Sequence, residues 1–282
     1  MELLRSPGVG TTATIPFVPD PLAAPTGARC LEIAARFLAA ARAGTRDDQA
    51  VEDLASLDPV ALATALADPA HRLAFWINVY NGAVRARLLR DPEAYRRRWR
   101  FFEAPAVTVA GHVLNANAIE HGILRRSAMV LGLGYVRNPF PSRFERLQRV
   151  ERLDPRVHFA LNCGALSCPP VAAWDPRDLD AQLDAAAATY LRGETKVVGG
   201  STEVSVPRLL LWYRGDFGGR AGIIRLLKQH AIIDEGTTPL IRFGDYDWTL
   251  DVEPTADVTP TNVNRAPGPM AAGNAFAADP AD

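Results

Sequence analysis

One long segment, residues 71–90, constrains the fold more than any other part of the sequence. Its apolar side chains recur at the 3.6-residue period of an α-helix. They are Leu73, Trp76, Ile77, Tyr80, Ala83, Val84 and Leu88. The segment is therefore predicted to be a helix with a broad apolar face that is buried.

A narrow polar stripe runs along the same helix and consists of Asn78, Asn81 and Arg85. Asparagine is a poor residue for a helix interior because its amide competes with the backbone for hydrogen bonds. Two interpretations of the amides stay open. Either they point into a site as donors or acceptors for a substrate, or they are hydrogen-bonded core amides that fix the orientation of the helix.

The other predicted elements are short. Helices are predicted at 29–42, 47–57, 58–67, 115–125, 141–152, 175–191 and 221–230, hairpins at 107–114 and 196–206, and strands at 156–161 and 241–250. Residues 1–27 and 253–282 are rich in proline and glycine and are expected to be disordered. The sequence thus predicts a single, mainly helical α+β domain over residues 28–252, with a small, mostly antiparallel sheet and disordered termini.

Composition argues against several classes of partner. The chain has 282 residues, with 31 basic and 32 acidic side chains and a net charge of -1. Neither nucleic acid nor a membrane is therefore expected as a partner. No apolar run approaches the roughly 18 residues that span a bilayer, and no signal peptide is recognised. With only three cysteines, we expect a soluble cytoplasmic protein whose thiols are reduced.

Two of the three cysteines follow the predicted strand at residues 156–161. Apolar and polar side chains alternate along that strand, which places His158 on the face opposite the apolar residues. Cys163 comes between the end of the strand and Gly164, a sharp-turn position that suits a nucleophile. Cys168 is followed by a proline, which favours an extended backbone there. We therefore prefer Cys163 over Cys168 as the nucleophile.

A second reactive pair, Glu120-His121, lies near the start of the helix predicted at 115–125. Asn115 or Asn117 can cap this helix, and Glu120 fits the reciprocal capping position. The helix dipole disfavours the cationic form of a histidine one turn inside the N-terminus. A neutral imidazole at that place suits a general base. The alternative is a surface pair in which the glutamate merely caps the helix.

Together these residues predict a site in which Cys163 attacks a carbonyl, His121 acts as the base and Glu120 orients His121, with His158 as the alternative base. Three alternatives stay open for the thiols: inert packing, a disulfide between Cys163 and Cys168, and a zinc site, for which the spacing is not a known signature. No phosphate-binding loop or dinucleotide fingerprint is present. We therefore expect no cofactor, and because the spacing is not a known zinc signature, we expect no metal.

The predicted substrate is a small molecule or a peptide. The residues expected to position it, or to bind an oxyanion, are Asn78, Asn81, Asn162, Ser167, Cys168 and Arg125. The predicted function is a thiol-dependent hydrolase or an acyl- or amide-transfer enzyme. One alternative is a non-catalytic interaction module with a buried Cys/His/Asn network. A second is a biosynthetic enzyme whose cysteines are not nucleophiles.

Several motifs resemble the family known as domain of unknown function 547, found in bacteria and, behind coiled-coil segments, in plants. They are Ala74-Phe-Trp-Ile-Asn-Val-Tyr-Asn81, Ile119-Glu-His-Gly-Ile-Leu-Arg125, His158-Phe-Ala-Leu-Asn-Cys-Gly-Ala-Leu-Ser-Cys-Pro-Pro170, Trp212-Tyr-Arg-Gly-Asp-Phe217 and Tyr246-Asp-Trp-Thr-Leu250. The resemblance covers about residues 70–251. It implies that the asparagines, Glu-His, histidine and cysteines form a shared site or core, and it strengthens both the reactive-thiol and the disulfide interpretations.

Overall fold

The structure is a computed structural model that describes residues 25–198 and 202–251. The α-helices of these residues are α1 (Gly27–Arg42), α2 (Asp48–Ser56), α3 (Pro59–Ala65), α4 (Pro69–Arg90), α5 (Arg98–Glu103), α6 (Arg143–Gln148), α7 (Leu179–Glu194), α8 (Leu209–Trp212) and α9 (Gly219–Gln229). The strands are β1 (Val107–Val109), β2 (His112–Leu114), β3 (Lys196–Val198), β4 (Glu203–Val206) and β5 (Leu240–Phe243). The predicted disordered termini lie almost entirely outside the described residues.

Helix α4 is the centre of the larger hydrophobic core, as its broad apolar face predicts. Asp68 caps its first turn and Pro69 occupies its first position, where a missing N–H costs nothing. The helix packs mainly against α1, and the approach is close. A Cβ atom on Gly82 would lie 2.7 Å from the Phe37 ring, so only glycine fits there.

Two small sheets complete the fold. Strands β1 and β2 form an antiparallel hairpin in which Val107 pairs with Leu114. In the second sheet β3 pairs antiparallel with β4, and β4 pairs parallel with β5, where Val204 faces Ile241. A smaller core packs around β4, α8 and α9. The predicted class is confirmed: a mainly helical α+β fold with small sheets.

The prediction of a strand at residues 156–161 is wrong. The chain forms a 3₁₀-helix there, Pro155–Phe159. The cause is local, since the Asp154 carboxylate accepts a hydrogen bond from the Arg156 amide at 2.9 Å and the proline takes the first helical position. His158 is buried together with the apolar residues around it, and not on an opposite face.

The predicted helix at residues 115–125 is a π-helix, Ala118–Leu124. Asn115, one of the two predicted caps, accepts a hydrogen bond from the Ala118 amide at 2.7 Å. π-Helical turns are rare and occur often at functional sites. Across the described part of the chain, every helix is too short or too polar to cross a bilayer.

Candidate functional site

The motif segments of the sequence meet in space, although they are far apart along the chain. Helix α4 contributes Tyr80, and the π-helix contributes Glu120 and His121 with Arg125 at its end. The 3₁₀-helix contributes His158, and the loop after it contributes Cys163 and Cys168. Tyr213 and Asp216 come from the segment after α8, and Tyr246 comes from the chain after β5. These side chains form two adjoining clusters, one of charged groups and one of thiols.

In the charged cluster, Glu120 is buried and does not cap its helix. Its carboxylate accepts hydrogen bonds from the Tyr80 hydroxyl at 3.0 Å and from the Tyr213 hydroxyl at 2.7 Å. Burial raises the pKa of Glu120, but the charges of His121 and Arg125 and the Tyr213 hydrogen bond outweigh it, so the pKa lies below its ordinary value. Glu120 is therefore an ionised group inside the protein.

His121 lies beside this carboxylate, with its Nδ1 atom 3.8 Å from Oε1 of Glu120. Burial lowers the pKa of His121 to about 4, although the Glu120 charge opposes the change. The ring is therefore neutral at neutral pH, and the cause is burial and not the helix dipole on which the prediction rested. Its Nδ1 contacts the guanidinium of Arg125. Because a guanidinium only donates, Nδ1 accepts and the ring proton of neutral His121 lies on Nε2.

Asp216 joins the remaining charges. Its carboxylate accepts hydrogen bonds from Nε of Arg125 at 2.6 Å and from Nε2 of His158 at 2.9 Å, and its side chain has no exposed surface. The His158 ring stacks on Tyr213 with ring centroids 3.8 Å apart. Burial raises the pKa of Asp216, but the hydrogen bonds from His158 and Arg125 lower it by more. The pKa of Asp216 therefore lies below its ordinary value. Arg125 thus pairs with Asp216 inside the protein, while the Glu120 carboxylate is held by the two tyrosine hydroxyls.

The thiol cluster lies on a sharp turn, as predicted. The Gly164 amide donates to the side-chain oxygen of Asn162 at 2.9 Å, and Gly164 has a φ of +91°, a conformation that favours glycine. A Cβ atom there would also lie 2.4 Å from the Leu88 side chain. The turn therefore presses the loop against α4 and leaves Cys163 half-buried at the edge of the core.

Both cysteine sulfurs contact the same phenol. The Tyr246 hydroxyl lies 3.4 Å from Sγ of Cys163 and 3.1 Å from Sγ of Cys168, and the Cys163 amide donates to the Cys168 sulfur at 3.0 Å. Both thiols are free. The hydrogen bond from Cys168 lowers the pKa of Cys163 most, burial opposes it, and Tyr246 and the Ala165 amide lower it further. Burial raises the pKa of Cys168 well above its ordinary value.

The two asparagines of α4 hold this loop in place. Asn78 donates to the Trp174 carbonyl at 2.9 Å and accepts from the Trp174 amide at 3.0 Å. Asn81 makes the same pair of bonds to the Ala160 carbonyl and the Asn162 amide, each at 2.9 Å. Both amides are fully buried, and the backbone occupies both ends of each. They match the interpretation of core amides that position a segment, not that of direct substrate contacts.

Asn162 and Ser167 also serve the loop. The side-chain amide of Asn162 donates to the Pro169 carbonyl at 2.6 Å. The Ser167 hydroxyl accepts from the Asp247 amide at 2.9 Å, and its carbonyl accepts from the Tyr190 hydroxyl at 2.8 Å. The bond from Asp247 attaches the cysteine loop to the chain that follows β5, and this attachment places Tyr246 beside the sulfurs.

The structure brings Glu120, His121 and Arg125 together with His158, but it does not bond a cysteine to a histidine. Among the described residues no hydrogen bond joins Cys163 or Cys168 to an imidazole. The link between the clusters is electrostatic, because the Glu120 charge raises the pKa of Cys163. Within residues 25–198 and 202–251, no three metal-binding side chains form a group that could hold a metal ion.

Two cavities of the protein lie away from the cysteines. Cavities of about 560 and 630 Å³ lie elsewhere, one between α4 and α7 and the other between α1 and the β1–β2 hairpin. Neither is lined by the cysteines or by His121. Cys163 and Cys168 themselves are half-buried residues.

Sequence reasoning missed four members of the site: Tyr80, Tyr213, Asp216 and Tyr246. Their signal was present, since each lies inside one of the motif segments, where a hydroxyl or a carboxylate stands among aromatic residues. What the motifs did not reveal is which partners these groups find across the fold.

Residues 64–191 match the model of the family described as Protein of unknown function, DUF547. This match confirms the resemblance over those residues. Comparison with curated proteins and with solved structures finds no match. The motifs at 212–217 and 246–250 lie beyond the matched residues, and their place in the site rests on the contacts described above.

Proposed function

We propose that the protein is a thiol-dependent hydrolase or acyl- or amide-transfer enzyme acting on a small-molecule or peptide substrate, with Cys163 as the nucleophile. The observation that supports this most is the setting of the Cys163 sulfur. Cys163 is a half-buried residue at a sharp turn, and the neighbouring thiol and the Tyr246 hydroxyl hold its pKa below the ordinary value. A thiolate, not a thiol, is the reactive form of cysteine.

In the proposed reaction the Cys163 thiolate attacks the carbonyl carbon of a thioester, ester or amide, and the leaving group departs as the acyl-cysteine forms. Water or another acceptor then takes the acyl group and restores the thiol. Because Nε2 of His121 carries the ring proton, we give His121 the role of a hydrogen-bond donor to developing negative charge, in place of the predicted base.

His158 has less support as a base. Its Nε2 atom is already bonded to Asp216, and its side chain is almost completely buried. Arg125 is equally buried and neutralises the same carboxylate. We therefore propose that His158, Asp216 and Arg125 position His121 and do not touch the substrate.

Hydrolysis of short acyl thioesters and p-nitrophenyl esters tests the proposal. Cys163→Ser should abolish turnover, whereas Cys30→Ala, which changes a cysteine fully buried in α1, should retain it. Iodoacetamide should inactivate the wild type in proportion to alkylation of Cys163. Equal activity in wild type and Cys163→Ser would exclude the thiol mechanism, and so would a native protein that iodoacetamide leaves unlabelled.

A second candidate is the non-catalytic interaction module, which one observation favours. The carboxylates of Glu120 and Asp216 each find two hydrogen-bond donors inside the protein, as in a structural network. For this function His121→Ala should lower stability and leave the rate of cysteine labelling unchanged. The free thiols of both candidates suit a reducing compartment, and we propose the cytoplasm.

A further inference from the structure

The sulfurs of Cys163 and Cys168 lie in one shared set of hydrogen bonds, so both cysteines, and not Cys163 alone, can take part in chemistry. A single phenol oxygen, that of Tyr246, lies within 3.4 Å of one sulfur and 3.1 Å of the other. The amide of Cys163 donates directly to the Cys168 sulfur at 3.0 Å. The second sulfur therefore lies against the backbone of the first cysteine, and the two sulfurs share one hydrogen-bonding neighbourhood.

The loop between the cysteines is closed by its own backbone. The Cys168 amide donates to the Ala165 carbonyl at 2.9 Å, which completes a turn. Two further bonds fix the loop to the end of the described chain: Leu166 donates to the Thr249 carbonyl at 2.8 Å, and Asp251 donates to the Gly164 carbonyl at 2.8 Å. The ends of the loop are thus already together, so joining the sulfurs requires little additional loss of chain entropy.

The pair is also accessible. Cys163 and Cys168 are both partly exposed, while the third cysteine, Cys30, is 0% exposed. Leu166, which lies between the two, is 49% exposed. Beside them the rings of Trp212, Tyr246 and Trp248 pack with centroids 4.7 to 5.5 Å apart and form a half-buried aromatic surface. These rings form an apolar surface beside the two cysteines, of the kind on which a peptide or a small organic disulfide can rest.

We propose that Cys163 and Cys168 form a dithiol–disulfide exchange site that reduces accessible disulfides of peptides or small molecules. The Cys163 thiolate attacks one sulfur of the substrate disulfide, forms a mixed disulfide and releases the first substrate thiolate. Cys168 then loses its proton and attacks the Cys163 sulfur. The Cys163–Cys168 disulfide closes, and the second substrate thiol leaves. One substrate disulfide is reduced to two thiols while the protein dithiol is oxidised, so the electrons balance.

The two cysteines differ in the way this sequence of steps requires. The attacking thiol needs a stabilised thiolate, and hydrogen bonds lower the pKa of Cys163. The resolving thiol stays protonated until the mixed disulfide forms, and burial raises the pKa of Cys168. The exchange uses no carbonyl chemistry. It therefore goes beyond the proposed acyl transfer and does not depend on it.

Oxidised glutathione, added to the fully reduced native protein, tests the exchange. Intact mass and thiol counts are read after an acid quench. The wild type should lose two of its three thiols and retain no glutathione, while two molecules of reduced glutathione appear per chain. A dithiol reductant should restore both thiols. Cys168→Ser, or Cys168→Ala if the serine variant folds poorly, should instead trap one glutathione on Cys163. Cys163→Ser should react with oxidised glutathione at no more than about a tenth of the wild-type rate.

Cys30→Ala is the matched control and should behave as the wild type does. The inference is overturned if the wild type accumulates glutathione on Cys163 without closing the disulfide. It is equally overturned if no native thiol reacts, or if a disulfide forms that the dithiol cannot reduce, since such a bond would be structural. Because the ester assay contains no oxidant and this assay contains no acyl substrate, failure of one function leaves the test of the other intact.

Discussion

The stability of the protein should fall steeply as pH drops from 6.5 towards 4, and His121 should cause much of the loss. Burial lowers the pKa of this imidazole from 6.5 to about 4 in the folded chain. Between these values the unfolded chain binds a proton that the folded chain does not, so the free energy of unfolding decreases as pH falls. At about 1.4 kcal/mol per unit, the shift corresponds to roughly 3 kcal/mol.

The groups around the His121 ring determine how much stability is lost and over which pH range. Glu120 raises the pKa of His121, and Arg125 and His158 lower it, while Asp216 raises it slightly. Burial lowers the pKa of His158 as well, so its titration adds a loss of the same sign. Glu120 and Asp216 have lowered pKa values, so their contributions are lost only as pH falls below their ordinary values of 4.5 and 3.8, at the acid end of the range in which His121 acts.

Urea unfolding followed by tryptophan fluorescence, in buffers from about pH 7 to about 4.5, measures the effect. His121→Gln removes the titrating group, and the difference between wild type and variant isolates it. Relative to the variant, the free energy of unfolding of the wild type should fall by roughly 1.4 kcal/mol per pH unit below pH 6.5. The exposed His112 provides the control, since His112→Gln should keep the wild-type loss. Parallel curves for wild type and His121→Gln would refute the argument.

Three other changes test the contacts directly. Asp216→Asn leaves a buried guanidinium without its counter-charge and should cost about 3–5 kcal/mol in urea unfolding, whereas Arg177→Ala, which removes a surface ion pair, should change stability little. Tyr246→Phe removes a hydrogen bond that lowers the pKa of Cys163, so the rate of iodoacetamide alkylation at neutral pH should fall; an unchanged rate would remove the phenol from the account. Asn81→Ala strands a buried carbonyl and a buried amide and should cost about 2–4 kcal/mol. A loss below 1 kcal/mol on the same scale would mean that water replaces the side chain.

Where local signals agree, the fold followed from the sequence. Helix α4 has a clear 3.6-residue period, and Asp58 with Pro59 specifies the start of α3 through a side-chain cap and a fixed φ. The error at residues 156–161 arose where two local signals compete. Val157 and Phe159 alternate like strand residues, but the preceding Asp154-Pro155 pair begins a helical turn, and the short segment adopted the conformation that the cap favours.

The site was predictable only in part, for a different reason. Glu120, His121 and Cys163 stand out because their neighbours along the chain explain them. Asp216 and Tyr246 do not, since their partners lie far away in sequence and are selected by the packing of α8 and by the bonds of the final segment to the cysteine loop. A local pattern can identify a reactive group, but it does not contain the identity of a distant partner.

The two clusters nevertheless act on one another, and Tyr80 shows how. Its hydroxyl donates to Glu120 at 3.0 Å. Burial raises the pKa of Tyr80 most, and the charges of Glu120 and Cys163 both raise it further, so this tyrosine interacts with both clusters. The Glu120 carboxylate disfavours a second negative charge at Cys163, while Tyr246 favours it. Substrate binding that draws the Glu120 charge towards His121, or away from the thiols, would therefore increase the thiolate fraction of Cys163. The charged cluster has this effect on Cys163 without a direct histidine–cysteine bond, and the same dependence would apply to the proposed acyl transfer and to the proposed disulfide exchange.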